Sequence, residues 1–198
     1  MEVTAQTHEE HQTSTGLPNT KVAMWAFLGS ECLFFGAMIS TYLLYRNQAP
    51  GGTVKPADVF DIPYTSVSSF VLLMSSLTMV LALASFQRGD EQRGRGWLLA
   101  TALLGAVFVG GQIFEFTDFY HEGVRLQTNA ASTAFFVLTG FHGAHVTGGI
   151  LMLLSLVSMS KLGKLPPSDS LKVENVGLYW HFVDVVWIVI FTVVYLMP

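Results

Sequence analysis

The chain has 198 residues, 51% of them hydrophobic and only 12% charged, with a net charge of −4 and a mean hydropathy of +0.48. Soluble domains carry about 25% Asp, Glu, Lys and Arg, so this composition excludes an ordinary soluble globule; the length suits one domain. The acidic balance and the lack of any basic run give no sign of a nucleic-acid partner, and a single cysteine, Cys32, excludes an internal disulfide.

In chain order, residues 1–20 form a polar tail with His8, Glu9, Glu10 and His11, without the apolar core of a cleavable signal peptide. Residues 21–198 form the predicted membrane domain. The first span, about 22–45, is apolar except for Glu31 and is followed by the breakers Ala49-Pro50-Gly51-Gly52. The second, about 64–86, lies in a stretch free of charge and stops at Arg88-Gly89-Asp90. The third, about 97–118, carries Gln112 and Glu115. The fourth, about 132–158, carries His142 and His145 and ends before Leu165-Pro166-Pro167-Ser168-Asp169. The fifth, about 176–197, carries His181 and Asp184. A helix needs about 20 residues to cross a ~30 Å hydrocarbon layer, and each segment is long enough. The runs are continuously apolar rather than alternating, which argues for helices and against barrel strands. The predicted fold is therefore an all-α, polytopic bundle of five transmembrane helices.

Basic residues orient the chain. The tail and the second and fourth loops hold Lys21, Arg88, Arg93, Arg95, Lys161, Lys164 and Lys172. The other side holds only Arg46, Lys55 and Arg125. Seven against three places the N-terminus in the cytoplasm and the C-terminus outside. Trp180 and Tyr179, near the predicted start of the fifth span, are expected interface anchors; Trp187 lies deeper and packs or faces lipid.

Ionisable groups inside a membrane are costly and mark functional positions by default. Three pairs share an i to i+3 spacing and hence one helix face each: Gln112 with Glu115, His142 with His145, and His181 with Asp184. Glu31 stands alone near mid-span. Three chemistries fit. Imidazoles on two helices can ligate haem or metal, although no Glu-x-x-His motif of the di-iron kind is present. Carboxylates and imidazoles can also carry protons. The favoured alternative is hydrogen bonding between helices, with Glu31 accepting from an imidazole on the fourth helix. Gly140, Gly143, Ala144 and Gly148 add a small-residue pattern on that helix, suited to close packing.

The motifs Ser30-Glu31-Cys32-Leu33-Phe34-Phe35, Gly111-Gln112-Ile113-Phe114-Glu115-Phe116, Gly140-Phe141-His142-Gly143-Ala144-His145-Val146 and Tyr179-Trp180-His181-Phe182-Val183-Asp184-Val185-Val186-Trp187 resemble subunit III of the haem-copper respiratory oxidases. The resemblance runs from about Lys21 to the C-terminus and fits the short bacterial form with five helices instead of seven. It implies an accessory subunit of a complex that reduces oxygen to water and pumps protons. In that family the haem and copper belong to subunits I and II, so none is expected on this chain. It also implies structural phospholipids in a cleft between helices, and direct packing on subunit I. Subunit II, small subunits or a respiratory supercomplex are further expected partners. Glu31 takes the place of the family's carbodiimide-reactive carboxylate, and the subunit's implied role is to sustain proton uptake. Asp58-Val59-Phe60-Asp61-Ile62-Pro63 and the C-terminal run Val186–Met197 are similar to quinol oxidases, whereas Glu31 is similar to cytochrome c oxidases. Cytochrome c oxidase is the first expectation, with quinol oxidase and the related nitric oxide reductase subunit as alternatives.

Overall fold

A backbone in hydrocarbon must satisfy its own hydrogen bonds, and the computed structural model resolves each apolar run into a helix. It describes residues 16, 18–48, 60–165 and 170–197. Most of the predicted tail, with His8 and His11, the Ala49-Pro50-Gly51-Gly52 turn, Asp58, Val59 and residues 166–169 lie outside the described residues. Five described helices are long and apolar enough to cross a membrane. They are α1 (Asn19–Tyr45), α2 (Ile62–Gln87), α3 (Glu91–His121), α4 (Ala130–Lys161) and α5 (Ser170–Phe191), the last continued by a π-helical turn over Thr192–Leu196.

The helices begin two to six residues before the predicted spans, because capping rather than apolarity sets their starts. The carboxylate of Asp61 accepts from the Tyr64 N–H at 3.1 Å and that of Asp90 from the Arg93 N–H at 3.1 Å; the Asn129 amide oxygen accepts from the Ser132 N–H at 2.7 Å. Each satisfies an N–H that the helix itself leaves unpaired. Glu91 then sits favourably in the first turn of α3. The α2–α3 turn closes at Gly89, whose φ of +79° only glycine adopts without strain. There the Asp90 N–H reaches back to the Ser85 carbonyl at 3.0 Å, a six-to-one closure that ends helices at glycine.

Neighbouring helices α2, α3, α4 and α5 close a four-helix ring, and α1 packs outside it against α4 and α5. Its buried residues, Leu28, Phe35 and Tyr42, recur every seven positions, so α1 offers one narrow seam to the ring. The rest of its surface, including Trp25, Leu33 and Leu44, is exposed. Polar ties hold both ends. At the N-terminal end of α1, Lys21 pairs with Glu174 of α5 at 2.5 Å, and Ser160 of α4 donates to Glu91 of α3 at 3.5 Å. At the opposite end, Arg46 donates to the Met197 carbonyl at 3.4 Å.

The placement of Trp180 and Tyr179 departs from the interface-anchor expectation. Because α5 starts at Ser170, these residues sit more than two turns inside the helix, where both are buried. The Trp180 ring fills a notch between helices: a β-carbon at Gly105 of α3 would lie 2.5 Å from the indole, and one at Gly149 of α4 would lie 2.8 Å from it. Its Nε1–H donates to Ser75 Oγ of α2 at 2.9 Å, so this one side chain touches the other three helices of the ring. Trp187 is buried as well, and its Nε1–H donates to Ser69 Oγ at 2.8 Å. Each serine donates its own proton to a carbonyl on α2, which frees the oxygen to accept.

Candidate functional site

Glu31 and His145 meet at mid-bundle across the α1–α4 seam, with Oε2 and Nε2 3.2 Å apart and both side chains less than a fifth exposed. The opposite ring nitrogen, Nδ1, lies 2.7 Å from the Phe141 carbonyl oxygen. A carbonyl has no proton to give, so Nδ1 must carry the hydrogen. A hydrogen bond across the 3.2 Å between Nε2 and Oε2 then needs a proton on one of those two atoms, which either imidazolium with carboxylate or imidazole with carboxylic acid supplies. The edge of Phe35 closes one side of the pair, with its ring 5.0 Å from His145.

His142, three residues earlier, does not join this pair. It points into the ring, stacked on Trp187 at 4.8 Å and meeting Phe108 edgewise at 5.9 Å. It is fully buried, and neither ring nitrogen has a hydrogen-bond partner in the structure. The imidazole is held as an aromatic plate, with N–H to π contacts its available polar interactions.

Gln112 and Glu115 share a helix but serve different neighbours. The Gln112 amide donates to the Thr139 carbonyl of α4 at 2.7 Å, and its carboxamide occupies the space a β-carbon at Gly143 would need. Glu115 accepts from Thr65 of α2 at 2.9 Å and from the Tyr195 hydroxyl at 3.2 Å. The π-helical turn carries Tyr195 into the bundle, where Phe60 packs on it at 4.4 Å. Glu115→Ala leaves the buried Tyr195 hydroxyl without its acceptor, while Thr65 can still donate to the Asp61 carbonyl at 3.0 Å. The expected outcome is a loss of about 1–3 kcal/mol per unsatisfied group, read as a lower unfolding temperature in detergent, with Glu115→Gln retaining most of it.

His181 and Asp184 converge on one hydroxyl of α2. Ser76 Oγ lies 2.6 Å from His181 Nδ1 and beside the Asp184 carboxyl, whose Oδ1 is buried without a partner. The four polar groups thus form separate ties: α1–α4, α3–α4, α2–α3–α5 and α2–α5. No three His, Cys, Asp or Glu side chains converge as a metal site among the described residues.

Of the predicted small-residue pattern on α4, Gly143 lies on a closely contacting edge and the other three positions do not. A β-carbon at Gly140 would meet nothing within 4 Å, Ala144 is exposed, and Gly148 is only in ordinary contact range of Tyr179. Gly143 and Gly149 make the close approaches on this helix. Sequence inspection missed Trp180, Ser69, Ser75 and Tyr195 as polar partners. One signal was present: tryptophans seven apart on α5 face serines six apart on α2, which runs the opposite way.

Five membrane-spanning helices joined by buried polar pairs define a multi-pass membrane protein. The chain belongs to the family of cytochrome c oxidase subunit III, whose model matches residues 1–198. It is 42% identical to a quinol oxidase subunit 3 of Bacillus subtilis, over 95% of this chain and 91% of that one. It is 39% identical to a cytochrome c oxidase subunit 3 of Bacillus sp. (strain PS3), over 90% and 86%. It is 37% identical to a cytochrome bo(3) ubiquinol oxidase subunit 3 of Pseudomonas aeruginosa, over 96% and 90%. The chain is thus subunit III of a haem-copper terminal oxidase, in the five-helix form.

Proposed function

We propose that this chain is a non-redox accessory subunit that buttresses subunit I, holds structural phospholipid and sustains proton uptake by a proton-pumping oxidase. The Glu31–His145 pair carries the proposal. It sets an acid against an imidazole near the middle of their helices, 3.2 Å apart, and the resemblance implies that Glu31 takes the place of the family's carbodiimide-reactive carboxylate. It also ties the outlying α1 to the ring, so a single contact serves both proton holding and architecture. The orientation follows from the basic residues, with the N-terminus in the cytoplasm of a bacterial cell.

The test compares the complex with and without this subunit. Initial oxygen reduction is expected to be similar in both, while the number of turnovers before inactivation falls several-fold without it. An unchanged lifetime would leave only a scaffold. Haem-bearing subunit I is expected to co-purify with this chain, and stoichiometric haem, copper or iron on the isolated chain would overturn the non-redox assignment.

Cytochrome c is the proposed electron donor, in line with Glu31. A second reading, quinol, is favoured by the 42% identity to a quinol oxidase subunit. Oxygen consumption by the purified complex with each donor separates the two.

A further inference from the structure

On α5 a file of polar side chains runs inward from the membrane surface on which α1 begins. Glu174, in the second turn of the helix and paired with Lys21, is a third exposed, so this end reaches the aqueous layer. His181 follows seven residues later on the same face, about 10 Å deeper, and Asp184 lies about 5 Å beyond it. Between Glu174 and His181 is a cavity of about 170 Å³, walled by both of them, by Met79 of α2 and by Gly177 and Leu178 of α5. It has room for several waters. An acyl chain there would leave two polar side chains facing hydrocarbon, which is costly; water satisfies both.

His181 closes the inner end of the cavity. Its Nδ1 is 2.6 Å from Ser76 Oγ, and the same hydroxyl hydrogen-bonds the Asp184 carboxyl. Among the described residues no hydrogen bond uses Nε2, the ring nitrogen left to meet the cavity. Asp184 is 4% exposed, and its Oδ1 has no partner, so the file ends there. The ionisable groups of the packed elements are engaged elsewhere: Lys21 of α1 on Glu174, Glu31 of α1 with His145 of α4, and His142 of α4 on Trp187. Tyr64 of α2 donates to Gly111, and Tyr195 of the π-helical turn to Glu115. A proton on Asp184 therefore removes a buried charge that no neighbouring cation offsets.

We infer that His181, Ser76 and Asp184 form a proton relay that loads Asp184 from water in the α2–α5 cavity. A proton from that water binds His181 Nε2. The Nδ1 proton then passes to Ser76 Oγ as the serine's own proton passes to the Asp184 carboxylate. One proton enters at Nε2 and one is held at Asp184; the imidazole ends neutral with its hydrogen on Nε2, and the serine is unchanged. The reverse steps release the proton, so the site stores it without conducting it across the bundle. This store lies on the α2–α5 seam and does not depend on the Glu31–His145 pair.

The assembled oxidase in lipid nanodiscs provides the test, by infrared difference spectroscopy as pH is stepped and H2O is replaced by D2O. The expected signal is a carboxylic-acid C=O band that titrates, shifts in D2O, vanishes in Asp184→Asn and persists in Glu31→Gln. Its exchange should slow roughly tenfold in Ser76→Ala, the effect of about 1.4 kcal/mol on the barrier, and recover in Ser76→Thr. Absence of an Asp184-dependent band, or exchange at the parent rate in Ser76→Ala, would overturn the relay. Water entry is read separately with Leu178→Cys in a Cys32→Ser background. A water-soluble thiol reagent is expected to label that cysteine. Protection from the reagent would mean that hydrocarbon or a partner chain fills the cavity, and would overturn the proposal as well.

Discussion

Replacing Trp180 with alanine is expected to cost the folded subunit about 3–5 kcal/mol, the range for large-to-small changes at a buried aromatic. The indole is 1% exposed and is the largest fully buried side chain of the bundle, together with Trp187. Between membrane helices no hydrophobic force drives association, so close packing and hydrogen bonds carry the assembly. Truncation removes both at once: the notch between Gly105 and Gly149 empties, and Ser75 loses its donor. Trp180→Phe keeps most of the packing and loses only the hydrogen bond, worth about 0.6 kcal/mol on average in membranes. The same notch predicts damage from the opposite direction. A methyl at Gly105 or Gly149 meets a rigid ring that neighbours hold on every side, an overpacking cost of about 1–3 kcal/mol. Gly140→Ala meets open space and is expected to be neutral or slightly stabilising. Unfolding temperature in detergent and the amount of subunit III retained in the purified oxidase rank these variants. Equal stability of Gly149→Ala and Gly140→Ala would show that the notch is not tight.

The number and approximate place of the helices are legible because bilayer thickness imposes a length and hydrocarbon excludes charge. Helix starts are less legible. Asp90 and Glu91 read as loop by polarity, yet they cap and open α3, since a spanning helix extends into the headgroup layer. Inward faces are the least legible. On a soluble helix the polar side reveals the buried one, but lipid is as apolar as a protein core, and Leu33 and Phe35 of α1 look alike in sequence while one is exposed and the other buried. For that reason Trp180 reads as an interface anchor until the true start of α5 is known. Polar residues suffer less from this ambiguity, because a membrane penalises them on the lipid side. Glu31 and an imidazole of α4 are plausible partners from the sequence alone; the three-residue offset between His142 and His145 decides which ring faces α1.

Glu31→Ala is expected to leave the complex assembled and its first turnovers near normal, but to shorten its working life several-fold. The alanine removes the acceptor opposite His145 Nε2 and with it the proton shared across the α1–α4 seam. Glu31→Gln separates the two roles of that contact. Its amide N–H can donate to the imidazole Nε2 lone pair, because Nδ1 already holds the ring proton against the Phe141 carbonyl. The helices stay tied, but glutamine cannot exchange its proton as an acid does. A role in proton supply therefore predicts that both variants lose lifetime and pumping during sustained turnover. A purely architectural role predicts that glutamine rescues what alanine loses. His145→Ala tests the same pair from α4, and its effect should not add to that of Glu31→Ala, since either change removes one shared interaction. If Glu31→Ala leaves turnover, pumping and lifetime all unchanged, the pair has no part in proton uptake. The half-buried carboxyl is then one more packing contact, like Gln112 on Gly143.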